Sequence, residues 1–239
     1  MTYTAERAII LAAGFGSRMV PVTLDTPKPL VRVQGVRIVD TVIDALLEAG
    51  IEDITLVRGY KKEQFDVLLE KYPFLQFVDN DLYDTTNSIS SAKAALDRLQ
   101  GGCYVCEADL LIRNPEVIRR YHAASDYLGA YARETDDWCL QEVGGRAVNY
   151  RKGGEECFHC FGISYWTPED CDKLREDIAE AWENGGRDLF FEQVPLVRCA
   201  DRYDVMIHEC QKGDVVEIDT FHDLVALDPT YKGYHAQNA

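Results

Sequence analysis

The sequence predicts an α/β fold: a mainly parallel, mixed sheet flanked by helices, with a smaller and less regular portion in the second half. Two observations predict it. Short apolar runs of strand length alternate with amphipathic segments of helical period through the first half of the chain. The length of 239 residues suits one large domain of this class. Repeated β–α alternation implies right-handed crossovers with helices on both sheet faces.

Residues 8–12 read as a buried strand. Residues 38–49 carry helical periodicity through Val39, Val42, Ile43, Leu46 and Leu47 and stop at Gly50. A strand follows at 54–57, then a helix at 61–72 with Phe65, Leu68 and Leu69 inward. A third strand at 75–78 precedes a helix at 89–99; a fourth at 103–107 precedes a helix at 115–124. In the second half, strands are predicted at 127–132, 147–151 and 158–165. Thr167-Pro168-Glu169-Asp170 starts a helix that runs to about Trp182, with Thr as cap and Pro at the first helical position. Strands at 205–208 and 215–218 lead to a short helix that Thr220 and Asp223 open in the same way. Residues 230–239 are expected to be a mobile tail.

The formal charge is −16, with no basic stripe, which excludes ordinary nucleic-acid binding and disfavours anionic membranes. No apolar stretch reaches the ~18 residues of a membrane span, and the N-terminus lacks a basic start; a cytoplasmic location is expected. Two cysteine pairs, Cys103/Cys106 and Cys157/Cys160, have zinc-like spacing. Both lie in apolar runs that read as strands, where residues three apart point to opposite faces, so buried free thiols are the better reading.

Leu11-Ala12-Ala13-Gly14-Phe15-Gly16-Ser17-Arg18-Met19 follows the first strand directly. Two glycines one residue apart let backbone N–H groups converge on an anion, and Arg18 adds a guanidinium fork for phosphate oxygens. Met19 stands where a dinucleotide fingerprint needs its third glycine, and no Gly-Lys-Ser/Thr follows. Alone, this pattern could be an ordinary βα turn. Downstream, Asp25-Thr26-Pro27-Lys28-Pro29-Leu30-Val31 sets Lys28 between two prolines, which stiffen the segment that presents it. Two further apolar runs end in acid, at Glu107-Ala108-Asp109 and at Glu217-Ile218-Asp219. The carboxyl ends of strands are where α/β sheets collect ligands, so Asp109 and Asp219 are candidates to hold a hard cation.

The glycine loop and the Thr-Pro-Lys-Pro-Leu-Val segment together resemble the signature of nucleotidyltransferases that join a nucleoside triphosphate to a sugar phosphate or alcohol phosphate. The resemblance runs to about residue 228 and implies a Rossmann-like nucleotidyltransferase fold. It implies a nucleotide-binding part at about 1–125 and an acceptor-binding part at about 126–228 of one domain. It assigns nucleotide contacts to Leu11, Ala12, Ala13, Gly14, Phe15, Gly16, Ser17, Arg18, Lys28 and Asn87, with Ala12 and Ala13 near the base. It makes Lys28, Arg18, Asp109 and Asp219 catalytic, with Mg²⁺ on Asp109 and Asp219.

Asp136-Asp137-Trp138, residues 161–166, Asp188-Leu189-Phe190-Phe191 and Glu217-Ile218-Asp219 are similar to the phosphocholine cytidylyltransferase branch. On composition alone these aromatics read as core. The resemblance instead implies an acceptor site of Trp138, Asp188, Phe190, Phe191 and Glu217, with CTP and phosphocholine as substrates. The chain departs from that branch in having Phe190 and Phe191 where Tyr and Trp are usual, and Glu107 where Asp is common. The alternatives are the same chemistry on 2-aminoethylphosphonate or a sugar 1-phosphate, a catalytically silent nucleotide sensor, and a zinc-stabilised interaction module.

Overall fold

The computed structural model describes residues 2–236. Its central sheet has seven strands. Chain order gives β1 (Arg7–Ala12), β2 (Asp53–Arg58), β3 (Gln76–Asp79), β4 (Cys103–Glu107), β5 (Leu110–Ile112), β6 (Asp126–Val143), β7 (Arg146–Trp166), β8 (Met206–Cys210) and β9 (Val215–Glu217). The helices are α1 (Ile38–Glu48), α2 (Ile89–Ala94), α3 (Pro168–Glu183) and α4 (Phe221–Leu227). Across the central sheet the order is β3-β2-β1-β4-β7-β6-β8. The first four of these are mutually parallel, β7 runs against both β4 and β6, and β8 is parallel to β6. The predicted class, a mostly parallel mixed sheet with helices, is the one observed.

Strand alternation sorts the core into two layers. Ile10, Leu56 and Cys106 face Val39, Val42, Ile43 and Leu46 of α1. Ile9, Leu11, Val57, Cys103 and Val105 face Ile89 of α2 and Leu174 and Ile178 of α3. Each such fully buried aliphatic side chain contributes about 1.5–3 kcal/mol of transfer free energy. Cys103 and Cys106 therefore lie on opposite sheet faces, as the strand reading of that pair requires. All eight cysteines are free.

Three regions differ from the prediction. The expected helix at 61–72 is a run of 3₁₀ turns, Lys62–Glu70. It is entered through Lys61 in the left-handed region, and the Arg58 guanidinium takes the Lys62 carbonyl, diverting it from an α-helical ladder. The expected helix at 115–124 is a single turn, Pro115–Val117, followed by a strand at Tyr121–His122. Arg119 N–H donates to the Tyr104 hydroxyl at 2.9 Å, and Tyr121–His122 pairs antiparallel with Tyr3–Thr4. Tertiary hydrogen bonds thus outcompete helical periodicity there. The expected strands at 127–132, 147–151 and 158–165 are parts of one long hairpin, β6 and β7. Gly144 and Gly145 make its turn, both with positive φ, which suits a two-residue hairpin connection. Register shifts between Thr135 and Trp138 break the alternation, which hid the strand from the sequence.

A second ribbon positions the chemistry. β5 and β9 pair antiparallel, with Glu217 opposite Leu110, and Ile218 N–H donates to the Asp109 carbonyl. This brings the ends of two distant segments together. Thr220 then caps α4 in a reciprocal capping box with Asp223, which fixes the chain directly after Asp219. Within the expected mobile tail, Tyr231 donates to the Arg32 carbonyl and Tyr234 to Asp25 Oδ2, both at 2.8 Å. Its last three residues, 237–239, lie outside the described residues. No helix among the described residues is long and apolar enough to cross a membrane.

Thr220→Ala should lower unfolding free energy by about 1 kcal/mol with an unchanged urea m-value, because the cap is lost but the core is not. A urea titration followed by tryptophan fluorescence checks this.

Candidate active site

The glycine loop leaves the end of β1 and turns back over the Lys28 segment. Gly16 has φ 68°, and a Cβ there would lie 3.0 Å from Lys28 Cβ and 3.2 Å from Thr23 Cγ2. Glycine is required both by that conformation and by the close approach. The Thr23 hydroxyl donates to the Gly16 carbonyl at 3.0 Å, and Tyr60 N–H to the Ala13 carbonyl at 3.0 Å. Beside the loop lies a cavity of about 260 Å³, lined by Leu11, Ala12, Ala13, Gly14, Gly16, Arg18, Lys28 and Asn87. Two members of the expected nucleotide set are not in this wall. Ser17 is exposed, and Phe15 packs edge-on against Tyr60 with centroids 4.6 Å apart. The far wall includes Tyr83, Ser90 and Asn80. Asn80 is buried and donates to the hydroxyls of Ser90 and Ser91.

The two prolines hold Lys28 in a short 3₁₀ turn, with the side chain buried. Its Nζ lies 2.6 Å from Asp109 Oδ2 and 3.1 Å from Asp219 Oδ1. Arg18 reaches the same Asp219 oxygen at 2.9 Å. Burial alone would push the Lys28 ammonium down; Asp109 and Asp219 outweigh it, and the net direction is up. The four residues expected to be catalytic thus meet at one point.

One carboxylate oxygen, Asp109 Oδ1, is buried without a hydrogen-bond partner. Oxygens of Asp109, Glu217 and Asp219 lie within 4.8 Å of one another. Burial chiefly pushes the Glu217 carboxyl up; His159 draws it down, and Asp109 and Asp219 add to the rise. An all-oxygen cluster with an unsatisfied buried oxygen fits a hard divalent cation such as Mg²⁺. Glu217, expected on the acceptor side, also belongs to this cluster.

A second cavity, of about 320 Å³, adjoins the first; Arg18, Glu107, Asp109 and Phe190 line both. Its aromatic lining is Tyr127, Trp138, Tyr150, Phe161 and Phe190. Trp138 and Tyr150 stack face to face, 4.8 Å apart and 10° from parallel, and Phe190 meets Trp138 at 69°. Two residues expected here lie elsewhere. Phe191 is 1 % exposed and packs into the core against Trp166, because the chain turns between Phe190 and Phe191. Asp188 lines neither cavity; its carbonyl accepts from the Asn87 side chain.

Sequence reasoning missed Tyr150, Tyr127, Glu192 and Glu107 as cavity residues. Tyr150 sits in a run already read as strand, and Glu192 directly follows the Asp188-Leu189-Phe190-Phe191 segment. Gly162 leaves room for Glu107: a Cβ there would lie 2.6 Å from Glu107 Cγ. Burial drives Glu107 well above the usual carboxylate range, and the neighbouring acids Asp109, Glu192 and Glu217 add to it. Burial likewise raises Glu192 to about 7.

Residues 8–196 match the family model of the MobA-like NTP transferase domain. The chain belongs to the MobA-like NTP transferases. A 2-aminoethylphosphonate cytidylyltransferase of Lancefieldella rimae is 39 % identical over 94 % of this chain and 92 % of its own length. A choline-phosphate cytidylyltransferase of Streptococcus pneumoniae is 32 % identical over 95 % of this chain and 98 % of its own. The solved structure of a CTP:phosphocholine cytidylyltransferase from Streptococcus pneumoniae superposes with a TM-score of 0.83 at 29 % identity, covering 95 % and 99 % of the two chains. This MobA-like transferase is an enzyme, a nucleotidyltransferase whose full-length relatives are cytidylyltransferases.

Two outcomes follow for this transferase. Lys28→Ala should lower kcat by about 10²–10³ while CTP binding weakens far less, as expected for a cation that acts on developing charge. Single-turnover kinetics and calorimetric CTP titration separate the two. Glu192 binds a proton in the folded state that the unfolded chain, with its carboxyl near 4.5, has already lost. Its contribution to stability is therefore complete below about pH 4.5 and lost as pH rises through about 7. Thermal melts of ligand-free protein should show Tm falling over that window, and Glu192→Gln should flatten the fall.

Proposed function

We propose that this enzyme transfers CMP from CTP to 2-aminoethylphosphonate and releases pyrophosphate in a Mg²⁺-dependent reaction. The observation that carries the acceptor is the make-up of the second cavity. A trimethylammonium group needs free aromatic faces around it. Here one face of Trp138 is covered by Tyr150, and Phe191, a second expected wall, is in the core. The same cavity is lined by Asp137, Glu192 and Glu217. A primary ammonium has three N–H donors, and carboxylates are the acceptors it needs. The 39 % identical relative bears a name that agrees with this reading. CTP as donor rests on the names of the full-length relatives.

The chemistry is governed by charge. A phosphoryl group with a second pKa near ~6 is largely dianionic at neutral pH, so its oxygen attacks the α-phosphorus without a general base. One P–O bond forms, the α–β bridging bond breaks, and its electrons leave with pyrophosphate. What the protein supplies is alignment and neutralisation of anions that repel each other. Lys28 stabilises charge on the α-phosphate, and Arg18 with the glycine-loop amides holds the departing pyrophosphate. Asp109, Asp219 and Glu217 would hold Mg²⁺, which supplies charge neutralisation and Lewis acidity when bound. No side chain forms a covalent intermediate. The net charge of −16 fits a small-molecule enzyme rather than a nucleic-acid binder, and a CTP-consuming reaction belongs in the cytoplasm.

Phosphocholine is the second reading, favoured by the exposed edges of Trp138 and Phe190 and by the 32 % identical relative. A pyrophosphate-release assay with CTP and Mg²⁺ decides between them. The kcat/KM for 2-aminoethylphosphonate should exceed that for phosphocholine by at least about tenfold, a difference of ~1.4 kcal/mol. The reverse ratio would establish the choline reading. Trp138→Ala should raise the acceptor KM with little change in that for CTP.

A further inference from the structure

We propose that Glu192, held by Tyr127 at the inner wall of the acceptor cavity, is the residue that selects a primary ammonium over a quaternary one. This deepens the 2-aminoethylphosphonate reading and rests on it.

Glu192 neighbours Glu107 and Asp109 but is not a member of the cation cluster. Asp109, Glu217 and Asp219 are drawn together as the cation cluster, and Lys28 and Arg18 already pair with Asp109 and Asp219. Glu192 lies on the aromatic side, with Trp138, Tyr150 and Phe190 lining the same cavity. It is 4 % exposed, and no lysine, arginine or histidine among the described residues lies within ion-pair distance of it. The Tyr127 hydroxyl donates to Oε1 over a long 3.4 Å, and the residue's own backbone N–H also donates to the carboxyl. Both donors are neutral, so a charge this deeply buried has no cation to pair with.

A ligand ammonium supplies what is missing. A primary ammonium can donate directly to a Glu192 oxygen while its methylene group rests against the aromatic wall. A trimethylammonium has no N–H to donate, and its methyl groups hold the charge away from the carboxylate. The discrimination therefore follows from a polar group left unpaired by the wrong ligand, which separates acceptors more sharply than a difference in apolar contact. Tyr127 is a positioning residue: buried beneath the cavity, it orients the carboxylate through one hydrogen bond.

The test compares wild type with Glu192→Gln, using CTP, Mg²⁺ and either 2-aminoethylphosphonate or phosphocholine. Glu192→Gln should lower kcat/KM for 2-aminoethylphosphonate by about 30-fold, the effect of losing one hydrogen bond to a charged group. The loss for phosphocholine should be about threefold or less, and KM for CTP should not change. Tyr127→Phe, which keeps the carboxylate, should shift the acceptor ratio in the same direction by less. Equal losses on both acceptors, or no loss on 2-aminoethylphosphonate, would overturn the assignment. Turnover of neither acceptor by wild type would instead overturn the reading of function. Thermal protection by each acceptor alone gives a readout free of catalysis: 2-aminoethylphosphonate should raise Tm of wild type and lose most of that shift in Glu192→Gln. Should Glu192→Gln not fold, Tyr127→Phe carries the test, and an unchanged acceptor ratio there would overturn the proposal.

Discussion

The Lys28 ammonium lies between carboxylates contributed by two distant segments, 2.6 Å from Asp109 and 3.1 Å from Asp219. Around that cation the acids are in excess: Glu107, Glu192 and Glu217 complete a set that outnumbers Lys28, Arg18 and Lys152. Burial raises the proton affinity of all three. The site is therefore strained electrostatically in its ligand-free form, and each group it binds relieves part of that strain. In the proposed reaction a divalent ion would answer the cluster at Asp109, an ammonium the acids beside the aromatic residues, and the phosphates Lys28 and Arg18. Despite a net charge of −16, the chain sets two cations, Lys28 and Arg18, beside the glycine loop.

The fold brings these groups together with ordinary devices. Parallel strands deliver the glycine loop and Glu107 to the same edge, since Leu11 of β1 is in register with Glu107 of β4. The ribbon of β5 and β9 then brings Glu217 and Asp219 back to Asp109. Gly16 allows the loop backbone to rest on the stem of Lys28, so the cation and the loop amides share one support. Rigid placement of this kind is what a reaction between two anions needs, because alignment and charge compensation are the main tasks left to the protein.

Much of this was legible in the sequence. Strand–helix alternation gave the parallel half, and the glycine loop, Lys28, Asp109 and Asp219 meet in space as their motifs implied. The failures have physical causes. The helix expected at 115–124 was lost to the Tyr104 hydroxyl and to pairing with Tyr3–Thr4, partners that no local pattern displays. The long hairpin was read as fragments because its register shifts interrupt the period of two. Phe190 and Phe191 are neighbours of the same type, yet only Phe190 lines the cavity; a turn between them decides this. Glu192 and Tyr150 carry no motif, and their importance appears only when β6 and β7 are placed beside the acids of β4 and β9.

The hairpin of β6 and β7 is at once part of the central sheet and the outer wall of the acceptor cavity. The donor cavity, by contrast, is built on the parallel strands and the glycine loop, and the two share only four residues, Arg18, Glu107, Asp109 and Phe190. Side chains along one antiparallel arm can therefore be exchanged without disturbing the backbone that walls the first cavity. Descendants of one ancestral scaffold could diversify in what they activate while keeping how they activate it.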